Sequence, residues 1–181
     1  MRAVRQWLWI GVETIGGLSL LCALLMAAAI AWCAWGMSPY CEKTNSLKPR
    51  DATEILRWGG IEHTAKARRF LYSKISRRSL TGDHADFFVL EMERFPRHAA
   101  LESGQWMEGP LADPASQKAV DFSMSWGAEG YPDFPSRKEI ADQPYLFCFP
   151  WINLHGQRVT AAIVMFYDPA SKRLFVVDSK T

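Results

Sequence analysis

The chain has 181 residues and a formal net charge of +2, with 22% charged against 49% hydrophobic residues. A charge so near balance creates no global field for nucleic acid or another polyanion, which excludes both as partners selected by charge alone. No segment is low-complexity, and the stretch from about Tyr40 to Thr181 has the length of one ordinary domain.

Residues 1–14 read as a short cytoplasmic tail and interfacial segment. Ile15 to Met37 is an apolar run without a charge, long enough for a transmembrane helix, which needs roughly 20 apolar residues. Trp7 and Trp9 precede it and Trp32, Trp35 and Tyr40 close it, as expected of rings at the two headgroup layers. Gly36, Ser38 and Pro39 end the helix. Ala29-Ile30-Ala31 resembles a cleavage site, but a signal h-region is only about 7 to 15 residues, so the run reads as an uncleaved signal-anchor. Ser19, Ala23, Ala27 and Ala31 place a small residue every fourth position, a stripe that lets two spans approach closely in a homodimer.

Positive charges nearly balance across the run, with Arg2 and Arg5 before it and Lys43, Lys48 and Arg50 after it. The short basic tail places the N-terminus in the cytoplasm and the C-terminal domain in the periplasm of an inner membrane, since long C-terminal domains translocate largely regardless of charge. Beyond the run stand only Cys41 and Cys148. They are either a disulfide pinning the juxtamembrane segment to the domain, worth roughly 4 to 5 kcal/mol, or two unrelated thiols. The absence of an N-x-S/T sequon fits a bacterial envelope.

Residues 38–50 form a juxtamembrane linker, and 51–181 an extracytoplasmic domain. Asp51-Ala-Thr-Glu54 has capping-box spacing and opens a helix that stops at Gly59-Gly60. Ile61, Ala65, Leu71, Tyr72 and Ile75 at helical spacing predict a second helix from about Ile61 to Arg78. The period then changes to two. Strands with one wet face are predicted over Asp86 to Arg94 and Lys118 to Trp126, and strands apolar on both faces over Tyr145 to Trp151 and Val159 to Tyr167. Asp168-Pro-Ala-Ser turns the chain into a last strand, Arg173 to Asp178. The same four letters at Asp113 to Ser116 read as reused turn chemistry before another strand. Two helices on one face of a curved antiparallel sheet of about five strands make an α+β domain, a cystatin-like or NTF2-like roll by analogy of architecture alone.

Catalytic constellations are missing. Glu91 and Glu93 occupy the wet face of a strand, where charge belongs. His84 lies beside Asp83 and Asp86 without a second His or Cys at ligand spacing, so neither metal nor cofactor is expected. Cys148 between Phe147 and Phe149 lacks the electropositive setting of a nucleophile.

The binding candidates are a basic cluster and two loops. Lys66, Arg69, Lys74, Arg77 and Arg78 share the half of the expected helix opposite its apolar residues, with Arg68 as an ion-pair candidate inside the apolar face. Phe95 to Gln117 and Gly127 to Pro144 are long enough to be binding loops. Trp106, Tyr131 and Phe134 are their aromatic candidates, with Trp126 expected to cap the sheet. The expected function is therefore non-enzymatic: an anchored domain binding another envelope protein or an incoming toxin. The alternatives are a sensor for a small molecule or cell-wall fragment, and a tethered hydrolase using Glu91, Glu93 or His84.

Overall fold

The computed structural model describes residues 22–28, 43–48, 50–76, 78–79, 81–126 and 131–181. The chain divides into two compact units, Met1–Cys41 and Glu42–Thr181. In the first, residues 22–28 are helical and Leu24, Leu25 and Met26 are exposed. Ala23 and Ala27 of the small-residue stripe lie in this helical stretch, while Ser19 and Ala31 lie outside the described residues. No helix among the described residues is long and apolar enough to cross a membrane. Most of the run 15–37 is outside them.

The second unit is α+β. Its strands are β1 (Lys43–Thr44), β2 (Lys66–Ile75), β3 (His84–Arg94), β4 (Trp106–Glu108), β5 (Leu146–His155), β6 (Arg158–Asp168) and β7 (Arg173–Lys180). The helices are α1 (Asp51–Trp58), α2 (Arg97–Glu102), α3 (Pro114–Met124) and α4 (Arg137–Asp142). All the strands form one antiparallel sheet in the order β1-β2-β3-β7-β6-β5-β4. Six strands carry it, for β1 is only two residues long.

Period-two alternation sends neighbouring side chains to opposite faces, and here both faces are buried. Phe88, Leu90, Met165, Leu174 and Val176 pack with α1 and α2 on one face. Phe87, Val89, Val164, Phe166, Phe175 and Val177 pack with α3 and α4 on the other. Helices therefore cover both faces, which corrects the expectation of one helix-bearing face and one wet one. Val89, expected on the wet face of its strand, is fully buried. Only at its C-terminal end, at Glu93 and Arg94, does β3 become exposed.

Helix α1 buries Ala52, Ile55 and Leu56 and closes with a Schellman motif. Gly60 at φ +66° donates its N–H to Arg57, and Ile61 donates to Leu56. Its start differs from the expected capping box. Arg50 is the N-cap without a side-chain bond, and the Asp51 carboxylate accepts from the backbone N–H of Lys48 instead.

Two further expectations are corrected. Residues 66–75 are strand, not helix. Register shifts between Lys66 and Ala67, Ala67 and Arg69, and Phe70 and Tyr72 insert extra residues into the alternation, which turns spacings of two into three and imitates a helical period. Residues 118–124 are helix, not strand. The buried stripe of α3 is Ser116, Ala119, Val120 and Ser123, at true helical spacing but made of small residues. The apparent period of two comes from Val120, Phe122, Met124 and Trp126, of which Val120 is buried, Phe122 and Met124 partly buried and Trp126 exposed.

The repeated tetrapeptide explains how α3 begins. Asp113 accepts from the Ser116 N–H and hydroxyl, both at 2.8 Å, with Pro114 at the first helical position. Asp168 makes the same kind of contact to the N–H groups of Ala170 and Ser171. There Lys172 takes φ +55° and the chain returns as β7 instead of winding on. The expected loops 95–117 and 127–144 likewise hold α2, β4, the start of α3, and α4, the last begun by a Ser136–Glu139 capping box.

Candidate functional site

Among the described residues the buried charged side chain is Asp86, at the end of the sheet where β3 meets β7. Asp86 and Asp178 face each other across the two strands. The Asp86 side chain is 5% exposed and is held by Arg78, whose Nη1 and Nη2 donate to its two oxygens at 2.8 and 2.6 Å. The Ser76 N–H donates to the same carboxylate at 2.9 Å. This bidentate, charge-assisted geometry is the strong form of the pair, and it raises the Arg78 pKa above its ordinary value.

Beside it, His84 lies with Nδ1 2.7 Å from the Gly82 carbonyl and Nε2 3.3 Å from an Asp178 oxygen. Nδ1 donates to that carbonyl, so the Nε2 contact carries a proton only when imidazole and carboxylate together hold one more. Burial pushes the Asp178 carboxyl up from its ordinary 3.8, and Asp86 adds to that push while His84 and Arg78 oppose it. The Ser76 hydroxyl also donates to Asp86, at 3.3 Å, and accepts from the Ala85 N–H. The nearby hydroxyls of Ser79 and Thr81 bond to each other, and Thr81 donates to Asp83.

The raised Asp178 has a consequence of definite sign. Unfolding lets this carboxyl ionise at its ordinary value, so its contribution destabilises the fold as pH rises from about 3.8 through the higher folded value. Above that window the penalty is complete. Asp178→Asn removes it, and we expect a higher urea midpoint than the parent at neutral pH, with the gap closing on acidification. Equal midpoints at neutral pH would show that His84 and Arg78 already cancel the cost of burial.

The basic cluster does not form one face. Lys66 pairs with Glu93 at 2.9 Å, and Arg68 and Arg69 share Glu91 at 3.0 and 2.7 Å across the β2–β3 ladder. Arg69 is the main reason the Glu91 carboxyl sits below its usual range. Glu91 and Glu93 are thereby the counter-charges of β2. Arg78 belongs to the buried Asp86 pair, Lys74 stands on β2 opposite Phe87, and Arg77 lies outside the described residues.

Nor do the aromatic candidates gather on a surface. Trp106 is 3% exposed, and its Nε1 donates to the Gly59 carbonyl at 2.7 Å, which corrects its assignment to a recognition loop. Tyr131 packs on Tyr72 and lies under the Arg173 guanidinium, while Phe134 stands edge-on to Phe87, Phe166 and Phe175. Both rings cover the sheet. Trp126 is 40% exposed instead of capping it. Cys148 is a buried free thiol whose pKa burial pushes up to about 12, so it stays protonated and unreactive at neutral pH. Cys41 lies outside the described residues.

The outward surface that sequence reasoning missed is the far edge of β5. β4 pairs with Leu146 to Cys148, so among the described strands none pairs with residues 149–155 on that side and they form the rim of the sheet. That rim reads Phe-Pro-Trp-Ile-Asn-Leu-His, with Trp151 and Leu154 exposed at 46% and 48%. The expected central strand, Tyr145 to Trp151, covers only the first three of these residues. The length of the neighbouring β4, which decides whether the edge is covered, is a non-local property. Next to the rim, α3 and the tip of the β5–β6 hairpin enclose a shallow cleft of about 540 Å³. Set against protein-family models, curated proteins and solved structures, the chain matches none of them.

Proposed function

We propose that the chain is a single-pass, membrane-anchored, non-enzymatic protein-binding domain of the bacterial cell envelope. Its N-terminus lies in the cytoplasm and its C-terminal domain in the periplasm. It serves as a scaffold subunit of a membrane assembly or as an immunity-type factor that neutralises a toxin. The anchor and its sidedness rest on the uncharged run 15–37 and the short basic tail before it.

Protein binding rests on the open β5 rim. Natural sheets blunt their free edges with charge, proline or bulges, because unpaired backbone groups recruit another strand. Here β2, next to the short β1, carries Lys66, Arg68 and Arg69. The β5 rim carries Pro150, a register shift before Trp151 and a second between Asn153 and Leu154, but no charge from Trp151 to Leu154, and two of those four residues are large and exposed. Exposed Trp beside free backbone is the composition of an interface core. The sensor alternative needs a concave sheet face with room in it, and side chains of the helices fill both faces.

A photo-crosslinking residue in place of Trp151, expressed in intact cells, tests this reading. One adduct of defined mass is expected, absent when the same residue replaces exposed Arg57 on α1. Labelling no stronger at 151 than at surface positions elsewhere would sink it.

A further inference from the structure

Resting on that reading of the rim, we propose that the segment taken up beside β5 is an extended acidic peptide whose carboxylates seat on Lys118 and Arg158. The rim ends at His155, and His155 is also a wall of the cleft between α3 and the hairpin tip. A strand added along β5 therefore runs from the apolar stretch at Trp151 to that cleft without leaving the surface.

The cleft has an unbalanced charge. Lys118 and Arg158 line it, and neither makes an ion pair among the described residues. The lining carboxylate, Asp121, is already bound by Arg137 from α4. Phe122 and Val159 supply an apolar floor for the stem of a glutamate or aspartate chain. Two free cations beside a neutral edge select a few carboxylates on an extended segment. They are too few for a polyanion, whose affinity grows with each phosphate neutralised. The opposite side of the sheet lacks this selectivity, because its cations Lys66, Arg68 and Arg69 are occupied by Glu93 and Glu91.

The test uses the full chain in non-ionic detergent and two fluorescent peptides, one alternating valine with glutamate and one alternating valine with lysine. The acidic peptide is expected to bind about tenfold more tightly than the basic one at low salt, with the preference shrinking as salt is added. Lys118→Glu with Arg158→Glu removes or reverses the preference, and the milder Lys118→Gln with Arg158→Gln reduces it, both with unchanged circular dichroism. Equal binding of the two peptides, weakened by Trp151→Ala with Leu154→Ala, overturns the acidic specificity and leaves the protein-binding rim standing. Failure of the acidic peptide to bind overturns the inference. So does a dimer of the parent chain that Trp151→Ala with Leu154→Ala turns into monomer, because a second copy then occupies the rim.

Discussion

Replacing Arg78 by methionine lowers the unfolding free energy of the domain by about 3 to 5 kcal/mol, the usual cost of stripping one partner from a buried ion pair. Asp86 is 4% exposed overall and faces Asp178 across the β3–β7 ladder. Without the guanidinium its donors among the described residues are the Ser76 N–H and hydroxyl. The carboxylate must then sit uncompensated, draw in a proton or pull the strand ends apart. Each route costs more than the exposed arginine gains in water. The double variant Arg78→Met with Asp86→Asn removes the stranded charge and recovers most of the loss, since replacing both partners is far cheaper than removing one. Urea unfolding of parent, single and double variants in the same detergent decides it. A single variant with the parent's midpoint would mean that water already reaches Asp86.

Trp106→Ala costs a similar amount by another mechanism, about 3 to 5 kcal/mol from a large cavity in a packed core. The ring stands edge-on to Phe95 with centroids 5.0 Å apart, and Phe95 in turn stacks on Tyr167. Trp106→Phe separates the two parts of the loss. It keeps most of the volume but leaves the Gly59 carbonyl without its indole donor, for about 1 to 3 kcal/mol. The fit is tight on the glycine side as well, because a Cβ added at Gly59 would lie 2.8 Å from the Trp106 ring. Thermal unfolding followed by amide circular dichroism ranks the variants. If Trp106→Phe proves as costly as Trp106→Ala, the hydrogen bond and not the packing holds α1 to β4.

The elements legible in the sequence are those whose pattern is local. β3, β5, β6, β7, the Asp168 hairpin and α1 with its Gly59-Gly60 stop all follow from runs of a few residues. β2 and α3 exchanged identities for opposite reasons. Bulges stretched the strand's spacing towards a helix, and a stripe of Ser116, Ala119 and Ser123 hid the helix behind its bulkier half-exposed residues. α4 carried a readable signal in Ser136 and Glu139. His84 and Asp86 stood out from the start, but Asp178 joins them through strand pairing that no local window contains. The open rim was hidden for the same kind of reason. Tyr145 to Trp151 is apolar enough for a central strand, and the brevity of β4 exposes its end.

The place of β1 also fixes where the chain enters the sheet. Lys43 and Thr44 pair with Ile75 and Lys74, so the chain enters the sheet at the β2 side. Five strand spacings of about 4.8 Å separate β1 from β5, roughly 24 Å measured across the sheet. A ligand on β5 and the chain's entry at β1 are thereby separated by four strands, β2, β3, β7 and β6.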